Sequence, residues 1–175
     1  MPSTSPEVDG TCGGACHQTT FGEEVRPASN LVGGAPDNPA YGTFTVFAAM
    51  PFNPLYEDVF HVAIKAGVQQ VGGRAVRVDR LMHGGDAVQE TLRQIGTCRA
   101  VVADLSTGEP DVFFEVGFAQ ALGKPILRLC STAYTELPFM VRNQETLSYT
   151  LGRTHRLAAR IAVYLEQLLR PEVAP

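Results

Sequence analysis

The chain has 175 residues, enough for one domain with a substantial core. Its 45% hydrophobic and 18% charged residues give a globular balance, and no apolar run reaches the ~18 residues of a membrane span. A net charge of −4 and a pI near 5.5 argue against a nucleic-acid partner, whose binding face is basic.

Residues 1 to about 41 are rich in Gly, Pro, Ser and Thr without a period, and read as a flexible or irregular N-terminal arm. They lack the basic-then-apolar order of a signal peptide, so the expected compartment is the cytoplasm, with free thiols at Cys12, Cys16, Cys98 and Cys130. Cys12, Cys16 and His17 invite a zinc reading. A structural zinc site takes four ligands, usually as two close pairs, and no second pair is present. The compact domain is placed at 42–175.

Thr43 to Met50 reads as a buried strand, broken by Pro51, Asn53 and Pro54. Tyr56 to Val71 follows as a helix with Val59, Ala63, Ile64, Val68 and Val71 on its apolar face. Arg74 to Asp79 alternates as a short strand. Gly84, Gly85 and Asp86 open a second helix carrying Val88, Leu92 and Ile95 inward. Arg99 to Leu105 is a second buried strand run, and Asp111 to Leu122 a third helix ended by Gly123 and Pro125. Ile126 to Cys130 and Leu147 to Thr150 are further strands. Thr154 is placed as the cap of a last helix with Leu157, Ile161, Tyr164, Leu165 and Leu168 inward, and Pro171 stops it. This alternation predicts an α/β flavodoxin-like (Rossmannoid) three-layer sandwich around a parallel sheet of about five strands.

In such sheets ligands bind beyond the carboxyl ends of the strands. The residues there are Met50, Pro51 and Phe52; Asp79, Arg80, His83 and Gly84; Asp104 and Ser106; and Ser131. Glu115 is placed in the first helical turn among Val112, Phe113, Phe114, Val116 and Phe118. Desolvation raises a carboxylate's pKa and a helix N-terminus lowers it, and a group held between those pulls suits a nucleophile or acid/base. Complementing the helix dipole is the plainer role. Asp111 stands one turn earlier, with about 5–6 Å between the Cβ atoms, and reads either as a second carboxylate or as the helix N-cap. Asp104 reads as a loop-ordering aspartate, as an acceptor for sugar hydroxyls or as a partner tuning Glu115, and it is grouped with Glu115 as catalytic, ahead of Asp111 as the second acid. Gly117, without a Cβ, permits close approach of a ligand or backbone. His83-Gly84-Gly85 before a helix suits a phosphate, or is an ordinary turn. Gly117 to Lys124 fails as a P-loop, because five residues separate the glycines and no Ser or Thr follows Lys124. AAMPFNP has no glycine, so a dinucleotide fingerprint is absent.

The order Ala49-Met50-Pro51-Phe52, then Val101-Val102-Ala103-Asp104-Leu105, then Glu115-Val116-Gly117-Phe118-Ala119 within PDVFFEVGFA resembles the nucleoside 2-deoxyribosyltransferase-like superfamily. That superfamily includes nucleotide N-glycoside hydrolases and lies near TIR-like NAD-cleaving domains. The resemblance covers about residues 43 to 150 and implies cleavage of an N-glycosidic bond in a nucleoside or nucleoside 5′-monophosphate. It matches Glu115 to the sugar-attacking glutamate of the E-x-G-x-A element, and Asp79 and Asp104 to aspartates that bind sugar or base. Asp111 stands where relatives commonly carry Asn, which adds negative charge beside Glu115. The resemblance further implies a homo-oligomer whose neighbouring chain completes the pocket, with Leu137-Pro138-Phe139 and Arg142-Asn143 as contributors. Asn143 is therefore grouped with the substrate-binding residues. The chemistry calls for no metal and no cofactor: a carboxylate stabilises or attacks the anomeric carbon, and a second acid protonates the leaving base. A nucleotide-binding sensor or effector module without turnover, and a TIR-like NAD-cleaving enzyme, are the competing readings.

Overall fold

A computed structural model describes residues 44–78, 87–131 and 137–170. Five strands form one sheet: β1 (Phe44–Ala49), β2 (Gly73–Val76), β3 (Ala100–Asp104), β4 (Ile126–Cys130) and β5 (Thr146–Ser148). Their order is β2-β1-β3-β4-β5, and every neighbouring pair is parallel. The helices are α1 (Lys65–Gln70), α2 (Ala87–Thr97), α3 (Pro110–Ala121), α4 (Phe139–Arg142) and α5 (His155–Leu169). The fold is a flavodoxin-like three-layer α/β sandwich.

Successive strand residues point to opposite faces, and both faces are covered, so the central strands are mostly apolar. Val46, Ala48, Val102, Leu127 and Leu129 face a core closed by α1, α5 and the segment before α1. Phe47, Ala49, Val101, Ala103 and Cys130 face a second core closed by α2 and α3. Each strand register follows from this double burial, because a one-residue slip exchanges the two sets.

The segment after β1 departs from the regular helix expected from 56 to 71. Asn53 Oδ1 accepts from the Leu55 amide at 3.0 Å and starts a 3₁₀ turn, Pro54–Tyr56. A π-helical stretch, Val59–Ile64, follows before α1. Val59, Ala63, Ile64 and Val68 are still buried, since the wider turn keeps them on the sheet side. Gly67 lets α1 approach α5 closely: a Cβ there would lie 2.7 Å from Ile161 Cγ2 and 2.8 Å from the Ala158 carbonyl oxygen.

Other expected boundaries shift. β2 ends at Val76, because Arg77 turns inward to an ion pair, and Asp79 lies outside the described residues. Val88 is exposed, and Thr91 with Ile95 forms the buried side of α2. Leu168 is 39% exposed, and Ala158 and Ala162 share the inner face of α5 with Leu157, Ile161 and Leu165. Thr154 occupies the cap position of α5 but its side chain makes no capping bond. Among the described residues no helix is long and apolar enough to cross a membrane.

Candidate active site

The strand order reverses between β1 and β3, and the carboxyl ends of those strands open the crevice where such sheets hold ligands. Met50 and Pro51 follow β1 and are buried, while Phe52 is 59% exposed. Arg77, 3% exposed, braces this turn from the end of β2. Its Nη2 donates to Glu57 Oε1 at 2.8 Å and its Nη1 to Met50 Sδ at 3.7 Å. The guanidinium carbon lies 4.6 Å from the Phe60 ring centre and 5.8 Å from that of Phe52. The Arg77 hydrogen bond holds the Glu57 carboxyl below its usual range, against a smaller desolvation push upward. A charged residue inside the run AVRV was the available sign that β2 ends in a brace.

Beyond β3, Asp104 is fully buried at the centre of a polar network. Its Oδ1 accepts from the Ser106 amide at 3.1 Å and the Ser106 hydroxyl at 2.5 Å. Its Oδ2 accepts from the Tyr149 hydroxyl at 2.6 Å. Ser106 Oγ accepts from the Ser131 amide at 2.8 Å and lies 3.1 Å from the Tyr149 oxygen. Burial pushes the Asp104 carboxyl up, while the bonds from Ser106 and Tyr149 pull it back. Burial and the neighbouring Asp104 charge push the Tyr149 hydroxyl up. The network ties the ends of β3, β4 and β5 together. Tyr149 escaped the sequence reading, because it stands 45 residues from its partner.

α3 begins with Pro110 at its first position, and Glu109 precedes it without a side-chain capping bond. The N-cap reading of Asp111 is thereby corrected: it sits inside the first turn, since Pro110 takes the position where a missing N–H costs nothing. Glu115 falls in the second turn, not the first. It is half-buried, and among the described residues its carboxyl has no hydrogen-bond or ion-pair partner. Burial pushes it up to about 7, and the Asp111 charge one turn away adds to the rise.

Gly117 is exposed, and a Cβ there would meet nothing within 4 Å. With Phe113, Gln120, Met140 and Val141 it lines a groove of about 560 Å³ between α3 and α4. At about 100° per residue, Phe113, Gly117 and Gln120 lie on the flank of α3 opposite Asp111 and Glu115. Glu115 and Gly117 are thus two residues apart in sequence but serve different surfaces. Asn143, exposed, ends α4 beside that groove. The structure gathers Met50 and Phe52 around Arg77, Asp104 and Ser106 with Tyr149 and Ser131, and Glu115 with Asp111.

Asp79, His83, Gly84 and Gly85, with the phosphate role assigned to that turn, lie outside the described residues, as do Cys12, Cys16 and His17. Cys98 and Cys130 are buried, and neither is in a disulfide. Lys124 donates to the carbonyls of Gly96 at 2.7 Å and Cys98 at 2.8 Å, which makes it a tether between α2 and β4. Among the described residues no cluster of three His, Cys, Asp or Glu side chains is arranged to hold a metal ion.

No protein-family model matches the chain, and no curated protein matches it in sequence. Among solved structures it is similar to the CMP N-glycosidase BcmB of Clostridium botulinum, at 16% identity and a TM-score of 0.54, over 69% of this chain and 98% of that one. At that identity the likeness is one of fold.

Proposed function

We propose that the protein cleaves the N-glycosidic bond of a nucleoside 5′-monophosphate or nucleoside, with Glu115 as the carboxylate that meets the anomeric carbon. The observation that carries this reading is the Glu115 carboxyl itself, half-buried, unpartnered among the described residues and pushed up to about 7 in the second turn of the helix that follows β3. An acid held there at a desolvation cost has a use for that cost. The fold likeness to a CMP N-glycosidase supports the reaction class, and the monophosphate in that protein's name favours a phosphorylated substrate.

In the reaction, ionised Glu115 attacks the anomeric carbon as the bond to the base breaks. The bonding pair leaves with the base, which takes up a proton. Water then releases the sugar and regenerates the carboxylate; a second base in place of water makes the reaction a transfer. Asp104, with no exposure and both oxygens engaged, acts through Ser106 and Tyr149 as a positioning residue that fixes the strand ends beneath the substrate. Phe52 offers an exposed ring against which a base can stack, and Met50 and Pro51 shape its support. A second copy of the chain completes the pocket from the side of Pro138, Phe139 and Asn143.

The test is incubation with nucleosides, nucleoside monophosphates and NAD, followed by chromatography of released bases. A nucleobase should appear from the first two groups with the parent protein and not with Glu115→Gln. Equal release by Glu115→Gln removes the assignment. Nicotinamide release from NAD alone would replace it with NAD cleavage, and ligand binding without any free base with a sensor role.

A further inference from the structure

A second cleft lies on the opposite face of the sheet from α3, where the end of β5 meets the start of α5. Its volume is about 470 Å³, within the range of small-molecule sites. Arg153, Arg156 and Arg160 line it, all three exposed, over a floor of buried Tyr149 and Leu157. No carboxylate lines it. From His155 to Leu165 the helix carries no acidic residue at all, in a chain whose net charge is −4. Arg160 Nη1 donates to the Ser148 carbonyl at 2.7 Å, which steadies that side chain and leaves its other N–H groups for a ligand. Among the described residues the Arg153 and Arg156 side chains have neither an ion pair nor a hydrogen bond.

Three guanidinium groups facing one concavity without a counter-charge repel each other, and an anion in the cleft relieves that repulsion. The spacing indicates what kind. Arg156 and Arg160 stand one turn apart on α5, ~6 Å along its axis, and Arg153, just before the Thr154 cap, lines the same cleft. Guanidinium groups from both the helix and the segment before it suit a chain of phosphates better than one phosphate, and guanidinium forks bind phosphate oxygens in bidentate fashion. We propose that this cleft is a binding site for the polyphosphate chain of a small molecule; it shares Tyr149 with the Asp104 network, while its arginines take no part in the reaction assigned to Glu115. Inorganic polyphosphate and nucleoside di- or triphosphates share that chemistry. The apolar floor of Tyr149 and Leu157 provides for a nucleoside if one is attached.

The site is tested by calorimetric titration of the full chain with inorganic tripolyphosphate, a nucleoside triphosphate and orthophosphate. The parent should bind the two triphosphates at least about tenfold more tightly than orthophosphate. Arg153→Ala and Arg156→Ala should each weaken triphosphate binding about tenfold, and the pair about a hundredfold. Glu115→Gln should leave it unchanged. Both arginines are exposed, so thermal melting of the variants should match the parent. Tighter binding of the nucleoside triphosphate than of tripolyphosphate assigns the floor to a nucleoside; equal binding assigns the site to the phosphate chain alone. Absence of triphosphate binding overturns the proposal. So does binding that survives the double substitution, or that is lost in Glu115→Gln.

Discussion

The Tyr149 hydroxyl donates to Asp104 Oδ2 across 2.6 Å, so a side chain just beyond the edge strand closes a bond with the central strand two places away. Phenylalanine at 149 leaves Oδ2 without its donor in a fully buried place. Tyr149→Phe should cost about 1–3 kcal/mol of stability by urea unfolding. Because Asp104 lies at 0% exposure, no water replaces the lost donor without an opening of the crevice floor.

Glu115 makes the folded state sensitive to alkali. Its pKa rises from 4.5 in the unfolded chain to about 7, so between those values the folded state holds more protons. Stability is then fully present below about 4.5 and falls as pH rises through about 7, by up to about 3 kcal/mol. Asp104, raised by burial, acts with the same sign. Glu115→Gln should therefore stand above the parent in urea midpoint at pH 8, with the gap closing toward pH 4.5.

The same titration should appear in catalysis with the opposite slope. Attack on the anomeric carbon needs the ionised carboxylate, so base release should climb with pH through about 7. Asp111→Asn removes the like charge one turn away and should shift that rise toward lower pH. The shift should stay smaller than the effect of burial, which is the larger cause. A pH–rate profile of the variant reads it directly.

Gly67 is a packing requirement between α1 and α5. Alanine there meets Ile161 and the Ala158 carbonyl at under 3 Å, and a backbone oxygen cannot swing aside. Gly67→Ala should lower stability by about 1–3 kcal/mol, measured by thermal or urea unfolding.

The sandwich was legible because its central strands are buried on both faces and read as short, mostly apolar runs, such as Ala100–Ala103 ahead of Asp104 and Ile126–Cys130 around the single Arg128. Glu115 was legible as a carboxylate among valines and phenylalanines. What escaped depends on distance or on rotation. Asp104 meets Tyr149 only after β4 and β5 are laid beside β3, and no local pattern announces that pairing. Glu115 and Gly117 belong to one motif by spacing, yet two residues along a helix turn about 200°, which sends them to opposite flanks. The π-helical segment kept the inward residues of a regular helix, so periodicity alone could not reveal it.

β5 is three residues long and lies at the sheet edge, the place where backbone pairing opens at least cost. The Tyr149 amide donates to the Cys130 carbonyl at 3.1 Å, one residue beyond that strand, while the same residue's hydroxyl holds Asp104. Fraying of the edge therefore releases the buried carboxylate as well, and the two events share one opening free energy. Hydrogen exchange at the Tyr149 amide becomes a clock for the crevice floor: a ligand that quiets the floor slows exchange at the rim.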